Sequence, residues 1–367
     1  MSDLLITAIT PTIASGTGLR TYGVAAALAR HHPIEVAYVV WGAPTPAPEY
    51  EQLGNVRLRA LRTSRGVRRG LAYAGARARQ VPRDLARGVS TPLLAAARSA
   101  PGDVRVIADG PVAAAALLPL ARRRELVYLA HNLESSGFRP DDERTGLERF
   151  ERNVLRTFAE CWMATRADER GATALAGEDA MTRYVPNVLD TDRVQPTAPA
   201  RTGRLLFVGD FTYRPNLEAL AVLDSHVLPA IWKTRPEVRL TAIGRGLPEG
   251  RRDDRIETPG FVEDLTGAYR NTAIVLVPLE RGGGSPLKFI EGLAYGLPVV
   301  ASTHAAALIE DGQPGRDFLA ADNPAEFAAA IFELLDDPDR ALALGAAGRQ
   351  LAMTRYSVDA LATLLGS

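Results

Sequence analysis

The chain of 367 residues is long enough for two domains of ordinary size, and its 46% hydrophobic content can fill two cores. Its 43 basic and 43 acidic residues give a formal net charge of zero, which argues against a nucleic-acid partner. A single cysteine excludes a disulfide framework, and we see neither a signal peptide nor an apolar run long enough to cross a membrane. We therefore expect a cytoplasmic protein, and the composition, rich in Ala and Arg, suggests a bacterial source.

The first half of the chain alternates short apolar runs with helical patterns, which is typical of a parallel sheet with helices on both faces. The predicted strands are Leu4–Thr10, Ile34–Trp41, Val56–Leu61, Val104–Ala108, Leu126–Ala130 and Cys161–Ala164. The clearest helices are Leu19–Arg30, Pro111–Arg122 and Glu143–Phe158. Between Ala60 and Ser99 the pattern favours two helices divided near Pro82, with a further break before Pro92.

A segment of small residues follows the first predicted strand and opens a helix. Its Gly16, Thr17 and Gly18 would let a ligand or a partner domain approach the backbone closely. Because a lone Gly-x-Gly is a weak signal, a structural loop and a binding site both stay open.

An arginine-rich run extends from Arg57 to Arg87 and contains ten arginines and one acidic residue, Asp84. One interpretation is a solvated helical face. The other is a surface for anionic lipid at the inner face of the membrane, or for an anionic acceptor. The run has no Trp or Phe anchor, so deep insertion into a bilayer is not expected.

Polar residues follow the apolar run that ends at Ala130. They are His131, Asn132 and Glu134, and such residues at the carboxyl end of a parallel strand lie where chemistry occurs in α/β folds. His131 can donate a hydrogen bond or titrate near neutral pH. The alternative is a histidine whose ring is satisfied by the local backbone.

The alternation of strand and helix restarts after a segment rich in proline and small residues, which is typical of a linker. Strands are predicted at Leu205–Val208, Val238–Ile243, Ile256, Ile274–Val277, Val299–Ala301 and Arg316–Leu319. Helices are predicted at Asn216–Ala230, Asp264–Arg270, Leu287–Tyr295, Pro324–Leu335 and Arg340–Met353. The predicted division is an N-terminal domain at 1–190, a linker at 191–203, a second domain at 204–352 and a C-terminal helix at 353–367.

The segment from Arg281 to Ser302 has the pattern strand, glycine loop, helix. Gly283 and Gly284 belong to the loop, and Ser285, Pro286 and Leu287 lead into the helix. Backbone N–H groups and the helix dipole favour an anion at such a helix start. An ordinary strand-to-helix turn is the alternative.

Two side chains of the predicted helix make a nucleotide the favoured ligand of this segment. Lys288 would add a positive charge, and only two of the 43 basic residues are lysines. Glu291, one turn further on, could accept two hydrogen bonds from the cis-diol of a ribose. A phosphate beside a ribose is a nucleotide.

This segment resembles the donor-binding signature of the family 4, or group 1, glycosyltransferases. The resemblance implies the GT-B fold, with two Rossmann-like domains whose parallel sheets face a central cleft and a C-terminal helix that crosses back to the N-domain. It implies that Lys288 and the loop hold the donor diphosphate and that Glu291 holds the ribose. The sequence departs from the family at Gly283, where many members have a glutamate that contacts the transferred sugar.

The resemblance extends to other segments. It implies that Gly209 and Asp210 face the pyrophosphate and that Phe261 and Val262 meet the nucleobase, while Arg245 is available to phosphate or to solvent. Arg214 is a candidate for a basic residue that many members have near this point. We interpret Asn216 and Asp264 as helix caps. The His-Asn-x-Glu match implies that His131 lies beside the donor sugar, and Gly16 and Gly18 are carried over as residues that face the cleft.

The resemblance implies a retaining glycosyltransferase. The donor would be a nucleoside-diphosphate sugar, with UDP favoured over GDP, and the acceptor a glycan, a natural product or a lipid-linked molecule bound by the N-terminal domain. No divalent metal and no cofactor is expected, because Lys288, the loop N–H groups and the helix dipole would stabilise the leaving diphosphate. A nucleotide-sugar epimerase of the same fold and a non-catalytic binding protein remain alternatives, and the latter would fit the departure at Gly283.

Overall fold

The computed structural model describes residues 2–13, 15–40, 46–63, 67–136, 141–247, 253–283 and 285–366. They form two compact units. The first comprises Met1–Val188, Gly283–Ser285 and Leu361–Ser367, and the second comprises Leu189–Gly282 and Pro286–Ala360. Each unit has its own hydrophobic core.

The first unit contains one sheet in which all the paired strands are parallel, in the order β3-β2-β1-β4-β5-β6-β7. Its strands are β1 (Ser2–Thr7), β2 (Ile34–Val40), β3 (Val56–Arg62), β4 (Val104–Asp109), β5 (Leu126–Leu129), β6 (Glu160–Met163) and β7 (Thr182–Tyr184). Its helices are α1 (Gly16–Ala29), α2 (Val67–Ala78), α3 (Arg83–Gly88), α4 (Thr91–Ser99), α5 (Gly110–Leu117), α6 (Asp141–Thr157) and α7 (Arg166–Ala176).

The second unit contains a parallel sheet in the order β10-β9-β8-β11-β12-β13. The strands are β8 (Arg204–Val208), β9 (Arg239–Ile243), β10 (Ile256–Gly260), β11 (Ile274–Val277), β12 (Val299–Ser302) and β13 (Leu319–Ala321). The helices are α8 (Arg214–Val222), α9 (Leu228–Trp232), α10 (Thr266–Arg270), α11 (Leu287–Ala294), α12 (Thr303–Ala307), α13 (Pro324–Asp336), α14 (Pro338–Arg355) and α15 (Val358–Gly366), the last of which runs from the second unit into the first.

Both sheets change direction of strand order at one place, between β1 and β4 in the first unit and between β8 and β11 in the second. Loops that leave the carboxyl ends of the strands diverge there and open a crevice in which ligands of such sheets bind. The segments around Gly16, Gly209 and Lys288 all follow strands that meet at these two places. These three segments therefore lie where this architecture favours a site.

Most predicted strands agree with the observed sheets because they are buried on both faces and appear in the sequence as continuous apolar runs. The strand predicted at Arg316–Leu319 shares only Leu319 with the observed β13. Between Ala60 and Ser99 the division near Pro82 and the break before Pro92 are both observed, so the described residues of this stretch hold three helices rather than two. The edge strand β7 was missed because its three residues, all partly exposed, include two polar ones. The C-terminal helix begins at Val358, after α14 has ended at Arg355, and not at residue 353.

Candidate functional site

Lys288 lies in the first turn of α11, immediately beyond the glycine loop that follows β11. Its Nζ donates a hydrogen bond of 2.5 Å to Oδ1 of Asn216 and lies 4.8 Å from the centre of the Phe207 ring. No carboxylate among the described residues lies within ion-pair distance of this amine. Burial lowers the pKa of Lys288 to about 7, although the nearby Glu291 acts in the opposite direction. A partly buried cation without a charged partner, at a helix N-terminus, is an arrangement that an anion would complete.

Asn216 is not the helix cap that the sequence predicted. The N-cap of α8 is Tyr213, and Asn216 is a buried residue of the first helical turn. Its amide nitrogen donates to the Asp210 carbonyl at 2.7 Å, which leaves its oxygen directed at Lys288. The amide therefore ties the turn after β8 to the lysine of α11.

Arg214 is directed elsewhere. Its side chain is 67% exposed, and its Nε lies 2.9 Å from the carboxylate of Glu218, which also binds Arg281. These contacts hold Arg214 and Arg281 in an ion-pair network on the surface of the second unit. Asn216, two residues after Arg214, takes the position against Lys288.

Glycines keep the space around Lys288 open. A Cβ atom at Gly209 would lie 3.1 Å from Lys288 Nζ and 3.0 Å from Asn216 Cγ. At Gly244, where φ is +153°, a Cβ would lie 1.6 Å from the Gly209 carbonyl oxygen. The turns that follow β8 and β9 can approach each other and the lysine only because both residues lack a side chain.

Glu291 is held from the side by an aromatic residue. The Tyr269 hydroxyl donates to Glu291 Oε2 at 2.8 Å, and the Tyr269 ring stacks on Tyr295 with centroids 4.3 Å apart. Burial raises the pKa of Glu291, while the Tyr269 hydrogen bond and the charge of Lys288 lower it. One carboxylate oxygen is thus occupied, and the other remains available to a hydroxyl group.

The predicted base-contacting turn presents an exposed aromatic ring. Phe261 is 50% exposed, and the Arg245 guanidinium lies 4.7 Å from its centroid. Val262 packs partly buried against the second core. Asp210, in contrast, is used locally, since its Oδ1 accepts hydrogen bonds from the backbone and hydroxyl of Thr212.

The residues of the glycine loop group with the first unit. The Ser285 carbonyl accepts a 3.2 Å hydrogen bond from Asn187, and the buried Ser285 Oγ has no hydrogen-bond partner among the described residues. Gly283 is exposed, and a Cβ there would meet only Ser136 Oγ, at 3.9 Å. Gly284 lies outside the described residues. Pro286 is the N-cap of α11, and Leu287 is its first residue.

In the first unit, His131 is paired with a carboxylate and not with local backbone. Its Nε2 lies 2.7 Å from Oδ1 of Asp109, the last residue of β4, and the other oxygen of Asp109 accepts a 2.8 Å hydrogen bond from the Thr21 hydroxyl. The next residue, Gly110, has φ +77°, and a Cβ there would lie 3.1 Å from the imidazole. The interpretation of His131 as satisfied by local backbone is therefore wrong.

Two further buried carboxylates hold the backbone just beyond His131. Asp168, in the first turn of α7, accepts from the Leu133 N–H at 3.1 Å. Glu151, from α6, accepts from the N–H groups of Glu134 and Ser135 at 2.6 and 3.1 Å. Burial raises the pKa of Glu151 to about 7. Three acidic side chains from three separate elements thus fix this loop.

Arg20 supplies positive charge beneath the same loop. It is 1% exposed, and its guanidinium donates to the carbonyls of Ala130, Val185 and Trp162 and to the side chain of Asn187. Burial lowers its pKa to about 10 against the opposing influence of Asp109 and Asp168. One arginine of α1 therefore joins the carboxyl ends of three strands.

The small-residue segment after β1 has a structural explanation. Ser15 is the N-cap of α1 and accepts from the Gly18 N–H at 3.1 Å, while a Cβ at Gly18 would lie 2.2 Å from the Thr12 carbonyl oxygen. Gly16 and Thr17 are exposed. The absence of a side chain at Gly18 is thus required by packing, and a ligand contact at Gly16 or Thr17 stays a prediction.

The arginine-rich run is not a single helical face. Arg57, Arg59 and Arg62 lie in β3, an edge strand, and the remaining described arginines lie on or near α2 and α3. On α2, Val67 is 79% exposed and Leu71 67% exposed. Among the described helices, none is long and apolar enough to cross a bilayer.

Residues 190–192, Asp-Thr-Asp, have the spacing of a carboxylate pair that can bind a cation. In the part of the chain that the structure describes, no group of three or more His, Cys, Asp or Glu side chains could hold a metal ion.

Part of this chain is similar to a known protein family. A model of the glycosyl transferases group 1 matches residues 202–337. A GDP-mannose-dependent alpha-(1-6)-phosphatidylinositol monomannoside mannosyltransferase of Mycolicibacterium smegmatis is 28% identical over 69% of this chain and 73% of the relative. The second unit therefore contains a domain of the glycosyl transferases group 1 family. A mannosyltransferase of the same description from Mycobacterium tuberculosis is 30% identical, over 58% of this chain and 63% of the relative.

Solved structures show that the chain has the GT-B fold. HepE of Anabaena, solved with UDP-glucose, superposes with a TM-score of 0.74 at 14% identity and covers 99% of this chain and 98% of its own. Sucrose-phosphate synthase of Thermosynechococcus elongatus gives 0.74 at 18% identity, over 100% and 97% of the two chains. The matched domain, 202–337, contains the strands β8 to β13 with Lys288 and Glu291.

Sequence reasoning missed the residues that hold the candidates in place. They are Asp109, Glu151 and Asp168 in the first unit and Asn216 and Tyr269 in the second. Asp109 had a usable signal, because an acidic residue followed by glycine comes directly after the predicted strand Val104–Ala108. The others lie inside helices, where no local pattern separates a buried hydrogen-bonding side chain from a solvated one.

Proposed function

We propose that this enzyme is a retaining glycosyltransferase that binds a nucleoside-diphosphate sugar through Lys288 and Glu291. The observation that carries the proposal is the lysine at the start of α11, whose only hydrogen-bond acceptor among the described residues is the neutral amide of Asn216. A diphosphate would supply the missing negative charge, and the unoccupied oxygen of Glu291 would accept from a ribose hydroxyl.

The chemistry requires that charge on the departing diphosphate be stabilised. Lys288 and the N-terminus of α11 would supply this stabilisation, so we propose catalysis without a divalent metal. His131 would position the donor sugar. Transfer that persists in a chelator would support the metal-independent proposal, and loss of transfer that added Mg²⁺ restores would contradict it.

The two candidates for the donor nucleotide are UDP and GDP. The preference for UDP over GDP rests on no named contact in this chain. The two mannosyltransferase relatives are described as GDP-mannose-dependent, and this description supports GDP. Both nucleotides therefore belong in the first experiment.

That experiment is a calorimetric titration of UDP and GDP into the wild type, Lys288→Ala and Lys233→Ala. Lys233 is the only other lysine of the chain and is an exposed residue at the end of α9, so it is a matched control. We expect one nucleotide to bind, with its affinity lowered ~10-fold or more by Lys288→Ala, which corresponds to about 1.4 kcal/mol, and unchanged by Lys233→Ala. If neither nucleotide binds to the folded wild type, the donor-site proposal is wrong.

Incubation of the enzyme with GDP-mannose or UDP-glucose alone separates the alternatives. A glycosyltransferase without acceptor hydrolyses its donor slowly at most. An epimerase converts the sugar, and a binding protein leaves it intact.

For the acceptor we propose a lipid-linked molecule at an anionic membrane surface. The relatives act on a phosphatidylinositol mannoside, as their descriptions state. In this chain Val67 and Leu71, one helical turn apart on α2, are largely exposed beside the exposed Arg68 and Arg69. Exposed apolar residues flanked by arginines fit the interface of an anionic bilayer.

Vesicle sedimentation tests this surface. We expect the wild type to bind vesicles that contain acidic lipid but not neutral ones, and Val67→Ser combined with Leu71→Ser to weaken that binding. Leu342→Ser, which replaces an exposed leucine on α14, is the control. Equal binding of the double variant and the wild type would contradict the proposed surface.

A further inference from the structure

The Asp109–His131 pair lies at the carboxyl edge of the first sheet, where strand order reverses. Asp109 ends β4, and His131 is the second residue after β5, a neighbouring strand. The Asp109 side chain is completely buried and its two oxygens have one partner each, the imidazole and the Thr21 hydroxyl. Such an environment fixes the carboxylate in a single orientation.

This geometry determines which imidazole nitrogen carries the proton when His131 is neutral. A carboxylate only accepts hydrogen bonds, so the nitrogen that faces it, Nε2, must be the N–H. The other nitrogen, Nδ1, then carries a lone pair. It has no hydrogen-bond partner among the described residues, and the neighbouring Asn132 Oδ1 is buried and also without a partner in the part of the chain described.

Two unfilled polar atoms on adjacent residues, at a strand end that favours ligands, point to a bound hydroxyl group. We propose that Asp109 is a positioning residue for transfer, which holds His131 in the Nε2–H tautomer so that Nδ1 accepts a hydrogen bond from a sugar hydroxyl. Thr21 completes the arrangement by holding Asp109. The proposal rests on the proposed function, because it assumes that His131 contacts a sugar.

The backbone supports the same arrangement. Gly110 has φ +77°, which suits glycine, and any side chain there would press on the imidazole at 3.1 Å. The loop beyond His131 is held separately by Asp168 and Glu151. A change at Asp109 should therefore release the ring while the loop backbone stays anchored.

The test combines kinetics with a spectroscopic measurement on the full-length enzyme. Imidazole ¹⁵N chemical shifts distinguish a protonated from an unprotonated nitrogen. The chain has five histidines, and the signals that are lost in His131→Gln belong to His131. We expect wild-type His131 to be the Nε2–H tautomer at a pH where it is neutral. In Asp109→Asn and Asp109→Ala we expect His131 to be a mixture of the two tautomers.

The kinetic part of the test measures the rate at which the enzyme consumes GDP-mannose or UDP-glucose. A separate titration measures nucleotide affinity. We expect Asp109→Asn to lower kcat by ~100-fold or more, as when the orienting carboxylate of a catalytic histidine is replaced, and to leave nucleotide affinity unchanged. Thr21→Val keeps the carboxylate but removes its hydrogen bond, and should lower kcat by only ~3–10-fold.

The chain contains a matched control for loss of a buried aspartate beside a histidine. Asp3, at the opposite end of the same sheet, lies 3.4 Å from His32 and is bound by Arg105. Asp3→Asn should lower the melting temperature and leave kcat within about twofold, since the lost contacts are structural. This variant shows what destabilisation alone does to turnover.

Two results would overturn the proposal: an Nδ1–H tautomer in the wild type, or a folded Asp109→Asn enzyme whose kcat falls no further than that of Asp3→Asn. A wild type that binds no nucleotide and turns over neither donor would instead refute the proposed function. In that case the proposed role of Asp109 in sugar transfer is also refuted, while the ¹⁵N measurement still determines the tautomer of His131.

Discussion

At the scale of single residues, Lys288 combines two features that Arg20, Arg214 and Arg281 do not share: it has no carboxylate partner, and one side-chain amide is its only acceptor among the described residues. Arg214 and Arg281 share the carboxylate of Glu218, and Arg20 donates to three carbonyls and one amide. Lys288 has a single acceptor, a neutral one. Its lowered pKa follows from this combination of burial and missing charge.

This pKa makes a prediction about pH. In the empty protein Lys288 has a pKa of about 7, so it is largely neutral above that pH. A diphosphate favours the protonated form and raises the pKa on binding, so binding above pH 7 requires proton uptake. We expect nucleotide affinity to fall by up to about tenfold per pH unit above ~7.

The measurement is a series of titrations between pH 6 and 9 in two buffers with different heats of ionisation. Proton uptake should approach one per nucleotide near pH 8. Lys288→Ala should show neither the uptake nor the associated pH dependence. An affinity of the wild type that is constant over the whole range would contradict the assignment.

At the scale of elements, the side chain of Asn216 connects the turn after β8 with the start of α11. The sequence predicts both elements and the lysine, because strand, glycine loop and helix leave strong local patterns. It does not predict the link, because asparagine near a helix start is most simply explained as a cap. Only the observed N-cap at Tyr213 shows that the amide is available for Lys288.

The same limit applies in the first unit. His131 is predictable from its place after an apolar run, but Asp109 lies 22 residues earlier and is brought to it by pairing of β4 with β5. Glu151 and Asp168 reach the loop from helices. Contacts between distant segments depend on strand order and helix placement, which short-range periodicity does not contain.

A glycine substitution tests the contact between these two elements. Gly209→Ala places a Cβ 3.1 Å from Lys288 Nζ, so the amine must shift. We expect nucleotide affinity to fall about tenfold (~1.4 kcal/mol), with unchanged far-UV circular dichroism. Gly267→Ala in α10, where a Cβ would meet nothing within 4 Å, is the control and should bind as the wild type does. Normal binding by Gly209→Ala would show that the lysine position is not critical.

At the scale of the whole molecule, the two hydrophobic cores predict two unfolding transitions. A nucleotide that binds only the folded second unit stabilises it by RT ln(1 + [L]/Kd), or ~2.7 kcal/mol at 100 times Kd. We expect scanning calorimetry to show that nucleotide raises one transition, whereas Asp3→Asn lowers the other. A single transition that responds to both changes would contradict this prediction.

The low pKa of Lys288 also makes its amine more reactive toward acylating reagents near neutral pH than an ordinary lysine. An amine must be unprotonated to act as a nucleophile, and an ordinary lysine, with a pKa near ~10.4, is almost entirely protonated at neutral pH. In a chain with only one other lysine, an acylating reagent at pH 7.5 would meet few competing side chains. Selective labelling of Lys288 would therefore mark the proposed donor site, and its protection by a nucleotide would report occupancy of that site in the purified enzyme without any engineered tag.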